Sequence, residues 1–198
     1  MAKSRGVDPD LDDIEAALAS LRALTTDERI SLGGVLAVLV GRRSDGWDLE
    51  PTAKGAERFS AALLRSILCG VLELPAEQLT ALEPLSAPPL EGDPPLSPEP
   101  FAESLPASAA RREELLHGLA ALLAVGSGAS GAGGGAQGRP PLLLGYDARC
   151  RQLVCDAAGA LGVDWRAVAR REAQLAAALA TLPAKLRALR DSGGASRL

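Results

Sequence analysis

The 198-residue sequence predicts an all-α protein, an irregular bundle of five to seven helices with two disordered low-complexity inserts. Three observations lead there. Hydrophobic residues make up 47% of the chain but aromatics only 3%, so Ala and Leu supply the apolar material and β-branched runs, the usual stuff of strands, are scarce. The apolar residues recur at intervals of three and four, the period of a helix face. Pro- and Gly-rich stretches fall between those periodic segments and mark their limits.

Asp8-Pro9 reads as an N-cap with proline at the first helical position. Leu11, Ile14, Ala17, Leu18, Leu21 and Leu24 then share an arc opposite Asp12, Glu15 and Arg22. Thr25-x-x-Glu28 is a capping box, in which hydroxyl and carboxylate each satisfy an otherwise unpaired backbone donor. The helix it starts is expected to run to about Val40. Its sequence is apolar nearly all round, which predicts a central position, and Gly33-Gly34 allows close contact at a propensity cost of about 1 kcal/mol per glycine. A loop containing Asp45-Gly46-Trp47 leads to a third helix, about Thr52 to Leu74, with Phe59, Leu63, Leu64, Ile67, Leu68, Val71 and Leu72 over more than half its wheel. Pro75 closes it and opens a short helix to Leu82, which completes an N-terminal helical group over residues 8–83.

Eight of the fourteen prolines lie between Pro84 and Pro106, and their missing amide donors predict an extended linker over 84–107. Residues 108–190 read as C-terminal helices that pack on the first group as one domain. Ser108 caps a helix with Leu115, Leu116, Leu119, Leu122 and Leu123 on one face, and a Gly-rich loop follows at 126–139. Tyr146, Cys150, Leu153, Val154, Ala157 and Leu161 then occupy an arc of about 100° on a helix that Gly162 ends. Asp164 caps the last helix, where Trp165, Val168, Glu172, Leu175, Leu179, Leu182, Leu186 and Leu189 form a 3-4 seam interrupted only by Glu172. Such a seam can pair within the fold or with a partner helix. Pro183 predicts a kink or break near Leu182, and 191–198 a disordered tail.

A net charge of −4 and a pI near 5.1 argue against nucleic acid as a partner. The longest strongly apolar run, Ile30 to Val40, is shorter than the ~18 to 20 residues of a membrane span, and Met1 to Asp10 lacks a signal-peptide core. The expectation is a cytoplasmic chain with no direct span, any membrane association coming through a longer parent protein or a partner. Three cysteines provide no disulfide framework. Cys150 and Cys155, about 140° apart on one helix, cannot pair, and a single histidine without C-x-x-C makes zinc improbable.

Gly126-Ser127-Gly128-Ala129-Ser130-Gly131 matches G-x-G-x-x-G but lacks the preceding strand and following helix of a dinucleotide site. Gly128-Ala129-Ser130-Gly131-Ala132 misses the second glycine of a nucleophile elbow, and the only histidine, His117, precedes it. His117 itself reads as solvated on a polar helix face, as do Arg111-Arg112-Glu113-Glu114. No residue is therefore assigned a catalytic, cofactor-binding or metal-binding role, and no cofactor is expected.

The segment Gly145-Tyr146-Asp147-Ala148-Arg149-Cys150-Arg151-Gln152-Leu153-Val154-Cys155, followed by Leu161-Gly162-Val163-Asp164-Trp165, resembles the amino-terminal helical region of the transmembrane and coiled-coil domain-containing family of α/β-hydrolase-like proteins. Gly145, Tyr146, Asp147, Arg149, Leu153 and Val154 carry the resemblance. It spans about Gly145 to Leu179 and, more faintly, Arg58 to Leu82. The resemblance implies a helical packing module with no catalytic group, since the family's membrane segment and serine elbow come later and neither is present before Leu198. The expected function is a non-catalytic helical interaction or regulatory module. Its partner-facing seam would be Trp165, Val168, Leu175, Leu179, Leu182 and Leu186, engaging a protein partner or a second copy. The alternative is a fragment of a membrane-associated serine hydrolase, lipase- or esterase-like, whose catalytic half is missing.

Overall fold

The computed structural model describes the backbone at residues 9–48, 58–70, 72–88, 94–125 and 147–194, and side chains at 14–48, 58–70, 72–88, 94–124 and 147–180. Within these residues the chain is all-α. In order, the helices are α1 (Pro9–Arg22), α2 (Thr26–Trp47), α3 (Phe59–Gly70), α4 (Ala76–Leu82), α5 (Glu99–Glu103), α6 (Ala109–Val125), α7 (Ala148–Leu161) and α8 (Trp165–Gly194), with a 3-10 turn at Glu83–Ser86. Among the described residues no helix is long and apolar enough to cross a membrane.

Helix α2 forms the centre because its side chains leave it no polar face over two turns and more. Every residue from Ser31 to Gly41 is buried. The capping box closes its start, with Thr25 N–H donating to the Glu28 carboxylate at 2.8 Å and Glu28 N–H donating to the Thr25 hydroxyl at 3.3 Å. Helix α2 runs past Val40 to Trp47, through the Asp45-Gly46-Trp47 stretch expected as a loop. Tertiary contacts hold these extra turns. Arg43 pairs with Asp156 of α7, Trp47 meets Phe59 of α3 edge to face, and Asp48 takes hydrogen bonds from the Ser60 amide and hydroxyl.

The glycines of α2 explain what happens to the proline-rich segment. The ring of Phe101 in α5 sits against Gly34, where any Cβ would collide with it, and Gly33 faces Leu82, Leu68 and Leu74. Gly41 lies under the backbone of Leu85 and Ser86. Much of the described part of 84–107 is thus not an extended linker: the 3-10 turn and α5 are both seated on α2, and Pro94–Ser97 between them lies outside any helix. Proline is compatible with a first helical turn, where its missing N–H would have no intrahelical partner, and Pro84 and Pro100 stand in such positions. Helix α5 brings the helices among the described residues to eight, one above the expected five to seven.

Helix α3 ends at Gly70, short of the expected Leu74. Leu72 N–H bonds back to Ile67 O at 3.1 Å, Leu74 N–H to Leu68 O at 3.1 Å, and Glu73 takes a left-handed φ of 50°. Residues 52–57, expected to begin this helix, lie outside the described residues.

Helices α1 and α6 pack against each other, with the Gly118 backbone against Ala17, Ser20 and Leu21. Helix α7 bridges α2 and α6. It is reversed into α8 by Gly162 at φ 66°, with Val163 N–H on Ala158 O at 2.9 Å and Asp164 accepting from the Arg166 amide at 3.0 Å. Arg151 and Glu172, at comparable distances either side of that turn, pair at 3.2 Å, so α7 and α8 are antiparallel. Helix α8 has α6, α1 and α7 as its principal neighbours, so of the N-terminal group it meets α1. Its backbone is helical through Pro183 and over 191–194, so the expected kink or break near Leu182 does not take the form of a break. The Gly-rich loop 126–139 and residues 195–198 lie outside the described residues.

Candidate functional site

The wide apolar arc of α3 has more surface than α2 covers. Leu63 and Ile67 are fully buried, while Leu64 and Leu68 also form one wall of a groove whose other wall is α4. Leu79 and Ala76 complete the apolar lining, Arg65, Thr80, Glu83 and Ser86 rim it, and the half-buried Cys69 thiol belongs to the α3 wall. The half-open groove has a volume of about 330 Å³, within the range of small-ligand and side-chain binding clefts. An apolar floor with charge of both signs at the edge suits a partner that brings apolar side chains and a polar rim of its own. Only the excess width of the α3 arc signalled this groove in the sequence.

Of the family-like residues, Gly145 and Tyr146 lie outside the described residues, and the other four share one structural role. Asp147 is the N-cap of α7, accepting from the Arg149 and Cys150 amides at 2.9 Å each. Burial acts to raise its pKa, but the Cys150 amide and the Arg149 guanidinium outweigh it and hold the carboxyl below its ordinary value. The Arg149 guanidinium, bonded to Asp147 at 2.8 Å, lies 3.4 Å from the centre of the Phe59 ring. Phe59 in turn meets Trp47 at 6.1 Å and 83°. This chain of contacts pins the end of α2, the start of α3 and the start of α7 together, and Leu153 and Val154 are fully buried behind it.

The α8 seam divides. Val168 and Leu175 are buried, and Trp165 and Leu179 pack on the same core, so this half faces inward and is not a partner-facing surface. The reason is that α8 packs on α6 and α1, whose apolar residues belong to the same buried core. Glu172, the interruption, is 12% exposed and pairs with Arg151, whose guanidinium also lies 5.4 Å from the Trp165 ring. The side chains of Leu182 and Leu186 lie outside the described residues.

Two expected solvated faces are in fact used. Arg112 gathers three carbonyls, Pro106 O at 2.7 Å, Leu161 O at 2.8 Å and Ala102 O at 3.2 Å, tying α5, α6 and the end of α7. His117 is half-buried in a cleft between α1, α6 and α8 that also holds Arg111, Glu114 and Arg171. Cys150, fully buried beside Asp147, has its thiol pushed up to about 11 by burial and by that carboxylate, which leaves it protonated and unreactive at neutral pH. No family model, no characterised protein and no solved structure matches this chain in comparisons with known proteins.

Proposed function

We propose that this chain is a non-catalytic helical interaction or regulatory module of the cytoplasm, and that its contact surface is the α3–α4 groove. The observation that carries the reading is the groove itself: apolar walls from Leu64, Leu68 and Leu79, a rim of Arg65 and Glu83, and a volume of about 330 Å³. The occupant that fits is an amphipathic helix, from a protein partner or a second copy, inserting apolar residues at helical spacing. The charged side chains elsewhere support the same reading, because Arg43–Asp156, Arg149–Asp147 and Arg151–Glu172 are spent on joining or capping helices. The resemblance to the helical region of hydrolase-like proteins is compatible with such a module, standing ahead of chemistry supplied by other residues.

The test is a photo-crosslinking amino acid at the exposed position Thr80, paired with Leu79→Glu in the same background. A discrete adduct, to a partner or to a second copy, that Leu79→Glu abolishes without lowering the melting temperature supports the groove. An adduct pattern indifferent to Leu79→Glu refutes it.

A further inference from the structure

The described structure exposes one large hydrophobic side chain, Leu96, at 49%, and it stands in the sequence Pro94-Pro95-Leu96-Ser97. All four residues are exposed and none belongs to a helix. Proline fixes φ near −65° at Pro94 and Pro95, and a following proline pushes Pro94 and Ser97 out of the helical region. Pro94, Pro95 and Ser97 are thereby biased towards extended, polyproline-like backbone. It is also held in place. The Arg42 guanidinium of α2 donates to the Leu96 carbonyl from Nε at 3.0 Å and from a second nitrogen, and Pro98, two residues on, is buried as an anchor. Arg42 and Pro98 border an open cleft of about 410 Å³, which leaves room beside the segment for another molecule.

We infer that Pro94-Pro95-Leu96 is a ligand for a small domain whose groove is walled by aromatic side chains and takes polyproline-type peptides. An isolated exposed leucine would need no explanation. Here it is held through its carbonyl, preceded by two prolines, and presented on backbone that loses little freedom on binding, the combination that such grooves exploit. The same tripeptide recurs in the sequence as Pro88-Pro89-Leu90 and Pro140-Pro141-Leu142, so the chain repeats the chemistry that one such groove would read. Because Pro98 is buried, the recognised stretch ends at Ser97, and Leu96 rather than a further proline fills the last pocket. This surface is separate from the α3–α4 groove and stands whatever occupies that groove.

The experiment titrates the ¹⁵N-labelled full chain with a WW domain that binds Pro-Pro-Leu peptides and, separately, with an SH3 domain. The expected result is saturable shifts of the Leu96 and Ser97 amides with one of the two. Leu96→Ala should weaken that binding about tenfold, and Arg42→Ala by a smaller factor, through loss of ordering, with both variants retaining the native melt. Binding that survives Leu96→Ala unchanged, or that is lost only with Pro140→Ala, overturns the assignment. So does failure of both domains to shift these amides at ~1 mM, a concentration at which even weak peptide complexes form.

Discussion

Replacing Gly118 with alanine adds one methyl group at the tightest point between α1 and α6. Its Cβ would lie 2.5 Å from the Ala17 carbonyl oxygen, 2.8 Å from Leu21 Cγ and 2.9 Å from Ser20 Oγ, where ordinary contact begins at 3.4 Å. The nearest obstacle is backbone, which cannot swing aside as a side-chain tip can. The helices must separate by about 0.9 Å, the difference between 3.4 and 2.5 Å, and a gap of that size forfeits roughly a quarter to a half of the dispersion energy along the contact. Buried Ala17 and Leu21 lie on that side of α1, and the Ser20 hydroxyl bond to Glu114 O, 3.1 Å, spans the same interface. Overpacking costs about 1 to 3 kcal/mol, and a backbone obstacle puts this case near 3. Alanine recovers about 1 kcal/mol of helix propensity. The net expectation is a loss of about 2 kcal/mol, or a Tm lowered by roughly 4 to 8 °C for a chain of this size. Gly159 in α7 is the internal control, because nothing lies within 4 Å of a Cβ there; Gly159→Ala should stabilise by up to about 1 kcal/mol. Both are read by thermal and urea melts followed at 222 nm. If the two substitutions shift stability in the same direction, the close-contact argument for Gly118 is wrong.

Arg112→Lys should destabilise by about 1 to 2 kcal/mol despite conserving charge, since a single ammonium cannot reach three carbonyls spread over α5, α7 and the approach to α6; a urea midpoint equal to that of the unaltered chain would count against the hub. Leu153→Asp, a carboxylate at a fully buried site, should abolish cooperative melting. The depressed carboxyl of Asp147 contributes stability that is complete above its unfolded value of 3.8 and lost as pH falls through the lower folded value. Asp147→Asn should therefore lower stability at pH 7 and flatten the acid limb below about pH 4, and an unchanged limb refutes the assignment. In the native chain at neutral pH, Cys69 and Cys155 should react with a thiol reagent while Cys150 reacts only after unfolding; three equal rates would contradict its burial.

Local signals were legible without tertiary information because their causes are local. The Thr25–Glu28 capping box and the Gly162 terminator each involve residues within one turn, and both stand where the sequence placed them. The unbroken apolar stretch of α2 likewise demanded a central position, since nothing else could cover it. The α8 seam shows the limit of this kind of reading. Its 3-4 spacing required an apolar surface to meet but could not say whose, and α1 and α6 took Val168 and Leu175.

The same limit explains the proline-rich segment, Arg112 and the groove. Periodicity alone determined that this chain is all-α, which helix is central and where most helices begin. Whether Phe101 finds the Gly34 notch, whether Arg112 reaches three carbonyls or water, and whether the surplus arc of α3 is covered by α4 or opened into a groove depend on residues distant in sequence meeting in space. Those outcomes are differences between competing long-range contacts, each worth only a few kcal/mol. Tertiary packing alone decided them.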